Sequence, residues 1–196
     1  MHTVSLALLP ALALALALGA AVWHDVRARR IPNTVVMAGC VIALLLHSLL
    51  PAAAALPGTP ASGLGPLFSL AGLATGLLLL LPFYALQALG AGDVKLMAMV
   101  GAFLGSPAVI GATLLAMLAG GLMALVVALW CGQLAHVLGN VHHMLRSALV
   151  RGMGGVDARI DAPATPTGKL PYAIAIACGT GLQLALSGWP AWRMFS

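Results

Sequence analysis

Long apolar runs separated by short polar joints set the pattern of this chain. The runs lie near 4–23, 33–52, 66–87, 94–106, 108–130 and 169–188. Most reach the roughly 20 residues a helix needs to cross a hydrocarbon layer about 30 Å thick. They are apolar all round and lack the alternation of a membrane β-barrel strand, so the pattern predicts helices. The "ALALALALGA" stretch alternates only between two good helix formers. The expected fold is all-α: one polytopic membrane bundle over residues 1–196 with about six transmembrane helices. The fourth run is short, and only Ser106 and Pro107 separate it from the fifth, so a tight turn at a membrane face is expected there.

The joints predict orientation. Arg27, Arg29 and Arg30 follow the first run, Lys95 sits after the third, and Arg146, Arg151, Arg159 and Lys169 precede the last. All of these fall on one side, with only Arg193 on the other, and short loops rich in Lys and Arg stay in the cytoplasm. The loops near 24–32, 88–95 and 131–168 are therefore expected inside and both termini outside. The first run has no basic residue at its amino end and is long enough to span, so it is read as a span and not as a cleaved signal. Within the long connection, apolar residues between 136 and 151 recur at helical spacing opposite His136, Asn140, His142, His143, Arg146 and Arg151. That pattern predicts an amphipathic helix on the cytoplasmic membrane surface. The Gly- and Pro-containing "RGMGGVDARIDAPATPTG" after it reads as a loop.

Composition sharpens this picture. With 62% hydrophobic and 7% charged residues, the chain lies outside the range of soluble domains. Its net charge of +5 follows from topology, and without a soluble basic face no nucleic-acid partner is expected. Cys40, Cys131 and Cys178 form no C-x-x-C pair, and with no glutamate in the chain there is no H-E-x-x-H pattern. No metal or cofactor is expected.

The acidic residues number four: Asp25, Asp93, Asp157 and Asp161. Asp157 and Asp161 fall in the expected loop, where a solvated carboxylate needs no special role. Asp25 ends the first run and Asp93 begins the fourth, which places both at the same membrane boundary. Carboxylates there are costly unless they face a partner or a wet cavity. Taken singly, Asp25 can pair with the neighbouring arginines, and Asp93 can cap the helix it begins. Taken together they suit acid–base chemistry: two carboxylates sharing a proton let one activate water while the other hydrogen-bonds a scissile carbonyl. In "GAGDVKLM", Gly90 and Gly92 would allow tight turns and close approach of an extended substrate to Asp93.

These residues resemble a known family. "DVRARRIPN" (25–33), "GAGDVKLMAMVGAFLG" (90–105) and "KLPYAIAIACG" (169–179) are similar to the three signature regions of type IV prepilin peptidases and their preflagellin relatives. The resemblance implies a membrane aspartic endopeptidase with Asp25 and Asp93 as the catalytic pair, Asp93 lying in a G-x-G-D motif. Pro32 and Asn33 match the stretch leading into the second span, where Pro32 fixes the backbone and Asn33 can cap the helix. Lys95 matches the lysine after the motif, read either as a snorkelling anchor that also tunes Asp93 or as an anchor alone. Pro171 and Tyr172 match the last signature and would pack that span against the site. The cytoplasmic region with paired C-x-x-C motifs found in large members is missing, so methyltransferase activity is not expected. The short architecture is most similar to peptidases serving tight-adherence (Flp-type) pili. The implied partners are a small membrane-inserted prepilin with a basic leader and the bilayer of a bacterial inner membrane. The arginines are assigned to topology and anionic lipid, and Asp157 or Asp161, otherwise solvated loop residues, could contact the leader instead.

Two other classes fit parts of the pattern. A proton-coupled transporter also uses membrane aspartates, but would place them near the midplane and show internal repeats. A non-catalytic subunit of a pilus or secretion assembly would use the small-residue stretches for packing but has no need of paired acids.

Overall fold

The computed structural model describes residues 2–49, 56, 65–86, 89–132, 139 and 171–187, with side chains from Leu8 onward. Six helices follow one another among them: α1 (His2–Ala28), α2 (Asn33–Leu49), α3 (Pro66–Ala85), α4 (Ala91–Leu104), α5 (Ser106–Trp130) and α6 (Tyr172–Leu186). No strand occurs among the described residues. The stretches Leu8–Ala28, Pro66–Ala85 and Ser106–Trp130 are long and apolar enough to cross a membrane, and α2 and α6 are shorter apolar helices. The expected surface helix at 136–151 lies outside the described residues apart from Gly139, as do Asp157, Asp161 and Arg193.

Many large apolar side chains point outward. Leu16, Met37, Leu67, Leu78, Leu118 and Trp130 are all exposed on the bundle surface. The interior is built largely from small residues, including Ala21, Ala43, Ala98, Ala112, Ala116 and Ala173. This is the arrangement of a bundle solvated by lipid, where close helix approach does the packing and apolar surface can face outward without penalty. The protein is an all-α membrane bundle.

α4 is its axis. From Val94 to Leu104 every residue but Lys95 is buried, and α4 touches each of the other five helices. Its main partner is α3, which carries Gly72 and Gly76 four residues apart on one face. A Cβ on Gly72 would collide with the backbone of Gly101, and one on Gly76 with the backbone carbonyl of Met97, so the two backbones meet directly. α5 and α6 pair in a similar way, with Gly120 under the ring of Tyr172 and Gly179 against Ala116.

At 14 residues α4 is about 21 Å long, too short to reach both faces of a hydrocarbon layer of about 30 Å. Its carboxyl end is finished inside the bundle. His47 Nε2 donates to the carbonyl of Phe103 at 3.0 Å, and the Ser69 hydroxyl donates to that of Ala102 at 2.9 Å. These side chains satisfy carbonyls that a helix end leaves open.

The break after α4 differs from expectation. It falls at Gly105, whose φ of 79° belongs to the region that favours glycine, with the ring of Phe68 packed where a Cβ would stand. Ser106 and Pro107 belong to the first turn of α5, where a proline's missing N–H costs nothing.

Candidate active site

The ends of α1, α4 and α6 and the start of α2 meet at one end of the bundle, and each brings a residue singled out from the sequence. α1 is longer than the first apolar run and carries Asp25 within its last turns. The Asp25 side chain is only 8% exposed. Its Oδ2 accepts a hydrogen bond from the backbone N–H of Ala173 at 3.1 Å.

That donor is available for a local reason. α6 begins after Pro171, which offers no side-chain cap, so the first-turn N–H groups of α6 need an outside acceptor. Asp25 supplies it from another helix. Among the described residues Asp25 forms no ion pair with Arg27, Arg29 or Arg30. The Arg27 guanidinium instead lies over the Trp23 ring, 3.9 Å from its centroid.

Asp93 sits in the first turn of α4, ahead of the apolar run that starts at Val94. Its Oδ2 accepts from the Gly90 N–H at 3.1 Å. This is the reach-back half of a capping box, and glycine has no side chain to return the favour. The helix-capping role open to Asp93 on the sequence is thus realised. Both carboxylates are held by backbone donors at helix amino ends, where the peptide dipoles also favour negative charge.

Asp25 and Asp93 line one cleft of about 360 Å³ together with Arg29, Arg30, Asn33 and Lys95. Burial pushes the Asp93 carboxyl up to about 6, the Gly90 N–H opposes this, and the negative charge of Asp25 adds to the rise. Asp93 thus lies within electrostatic reach of Asp25.

The remaining sequence candidates divide. Gly90 and Gly92 flank the cleft, but Gly90 has an ordinary extended backbone (φ −78°, ψ 152°), so no tight turn requires glycine there. What both positions provide is space. A Cβ at Gly90 would stand 3.1 Å from Asp93 Oδ2, and one at Gly92 3.4 Å from the Ile31 side chain.

Among the described residues, Lys95 makes no hydrogen bond to Asp93. Its Nζ donates to Asn33 Oδ1 at 3.0 Å, tying α4 to the first residue of α2. Residues two apart on a helix point to different faces, which explains the choice of partner. The Asn33 side chain is engaged by this contact, and the carbonyl of Pro32 accepts from the Val35 N–H at 3.2 Å in the first turn of α2.

Tyr172 packs on α5 over Gly120, with its hydroxyl 3.5 Å from the Ala116 carbonyl, and is not part of the cleft lining. It fixes α6 laterally and so places the Ala173 N–H. Of the last signature pair, Pro171 starts the helix and Tyr172 holds it.

Sequence reasoning missed two features of the site. A backbone donor such as Ala173 N–H leaves no trace in residue identity, although a proline at the start of a helix without a capping side chain signals that a partner is needed. The second is Arg29, which follows α1 with φ 51°. It is the one non-glycine residue at positive φ among those described, at a position that commonly ends helices with glycine. For a side-chain-bearing residue that conformation costs about 1–2 kcal/mol.

A helical membrane bundle with two carboxylates brought into one cleft is the kind of protein this chain forms. The profile described as the type IV leader peptidase family matches residues 12–125, more than half of the chain and inclusive of both aspartates. The chain belongs to that family, and is a membrane peptidase with a prepilin-type substrate in general. Among curated proteins and solved structures no match was found.

Proposed function

We propose that the chain is an aspartic endopeptidase that removes the short leader of a membrane-inserted prepilin, with Asp25 and Asp93 as its catalytic pair. The observation that carries this reading is the meeting of these two carboxylates, from α1 and α4, in one cleft at one end of the bundle. One member is charged and draws a proton from water, and the water oxygen attacks the scissile carbonyl. The other is protonated and donates to that carbonyl oxygen as it gains negative charge. Asp93, its carboxyl pushed up to about 6 by burial, is able to hold the shared proton. Collapse of the tetrahedral intermediate then passes a proton to the leaving amine and restores the pair.

Arg27, Arg29, Arg30 and Lys95 cluster at the same end of the chain's helices as the cleft, which supports cleavage at the cytoplasmic face of a bacterial inner membrane with both termini outside. The substrate class that fits is a Flp-like prepilin with a basic leader directly before an apolar helix. Cys40, Cys131 and Cys178 form no C-x-x-C pair, and we assign no methyltransferase activity. The test is co-expression with Flp-like prepilins and sequencing of the pilin's new amino terminus. A cut directly before the apolar helix is expected. Uncut prepilins beside normal amounts of the membrane protein would contradict the reading.

A further inference from the structure

We propose that Arg29 is a substrate-binding residue, its guanidinium donating hydrogen bonds to main-chain carbonyl oxygens of the peptide lying in the cleft. This rests on the reading of the cleft as the peptidase site.

The first observation is the backbone. Arg29 ends α1 at φ 51°, a position where glycine would fit without strain. Residues held in sparsely populated backbone regions cluster at active sites and ligand clamps, so this outlier points to a function for its side chain. Topology alone gives no such reason, because Arg27 and Arg30 mark the same joint in the sequence.

The second observation is the disposition of the cations. An extended peptide in the cleft brings unpaired main-chain carbonyls, which donors on the lining can take up as water is displaced. Side chains with N–H donors on the cleft lining are Arg29, Arg30, Asn33 and Lys95. Lys95 and Asn33 bond each other at 3.0 Å. Arg27 lies outside the lining, stacked on Trp23. Arg29 and Arg30, both exposed, are thus the lining residues that carry a fork of N–H donors, and of the two only Arg29 stands at positive φ. The arginines of this joint accordingly divide between a membrane-edge residue, Arg27, and cleft residues, a separation not visible in their spacing.

The experiment measures binding of a synthetic peptide, consisting of a basic leader and the first turns of the apolar helix after it. The protein is the Asp93→Asn variant, in detergent and in phosphatidylcholine nanodiscs, so that anionic headgroups are absent. Adding Arg29→Gly should weaken binding about tenfold or more, with no fall in melting temperature because glycine takes the same backbone freely. Arg29→Asn, which also tolerates that conformation, should behave alike, and Arg27→Ala should bind as the parent does. Unchanged binding in Arg29→Gly, or equal weakening in Arg27→Ala, would overturn the proposal. So would unchanged peptide binding with reduced retention of phosphatidylglycerol, which would assign Arg29 to lipid. Cleavage by the wild type is scored separately: Arg29-dependent binding without any cleavage would sink the peptidase reading and leave the binding role standing.

Discussion

The two ends of α4 present the same physical problem and solve it differently. A helix this short ends inside the bundle, and each end leaves backbone groups that need partners. At the carboxyl end, His47 and Ser69 reach across from α2 and α3 to the last carbonyls, and Phe68 packs over Gly105. At the amino end, the acceptor for a backbone N–H is the carboxylate of Asp93, and beside it Asp25 serves the amino end of α6. Buried polar side chains close one end, whereas the other opens as a cleft lined by titratable acids. Satisfying a helix end therefore accounts for the presence of polar groups at both places, while the carboxylates and the open cleft are what the proposed peptidase chemistry would use in addition.

Changes along α4 should separate the two ends. The largest effect is expected in the packed part: Gly72→Leu forces a side chain into the Gly101 backbone and should cost more than about 4 kcal/mol, seen as loss of folded protein on heating in detergent. At the cleft, Ala173→Pro removes the donor to Asp25, and proline is tolerated in a helix's first turn. Cleavage should fall about tenfold to a hundredfold, while Ala173→Gly, which keeps the N–H, should retain most of it. At the carboxyl end, His47→Ala strips the Phe103 carbonyl of its partner and should cost about 1–2 kcal/mol by thermal unfolding. Activity per folded molecule should be kept. If His47→Ala abolished cleavage without unfolding, the division between the two ends would fail.

The smallest effect is a pH dependence. The Asp93 carboxyl has a folded value of about 6 against an ordinary 3.8. The folded state therefore holds an extra proton between these values. The stability this contributes is fully present below the lower value and lost as pH rises through the upper one. The wild-type melting temperature should drop by a few degrees over that window. In Asp93→Asn, which keeps an oxygen for the Gly90 N–H, that decline should be much reduced.

Much of this arrangement could be read from residues. Long apolar runs specify helices, and the scarcity of acids drew attention to Asp25 and Asp93. Local signals misled in identifiable ways. Ser106 and Pro107 look like a break, yet proline suits a first helical turn, and the positive φ at Gly105 makes the corner. Lys95 lies close to Asp93 in sequence, but the helical turn directs it to Asn33. The Asp25 contact with Ala173 joins positions 148 residues apart through a backbone donor, which no side-chain pattern encodes. Arg29 looks like its neighbours until its backbone angle is known.

The most direct test is cleavage of a co-expressed prepilin by wild type, Asp25→Asn and Asp93→Asn at matched membrane levels. Asparagine keeps the shape and an acceptor oxygen for each backbone contact but can serve neither as acid nor as base. Loss of cleavage in both variants, with melting temperatures at pH 7 no lower than wild type, is the predicted result. Cleavage surviving in either variant would mean that its carboxylate only caps a helix, and would contradict the aspartic mechanism.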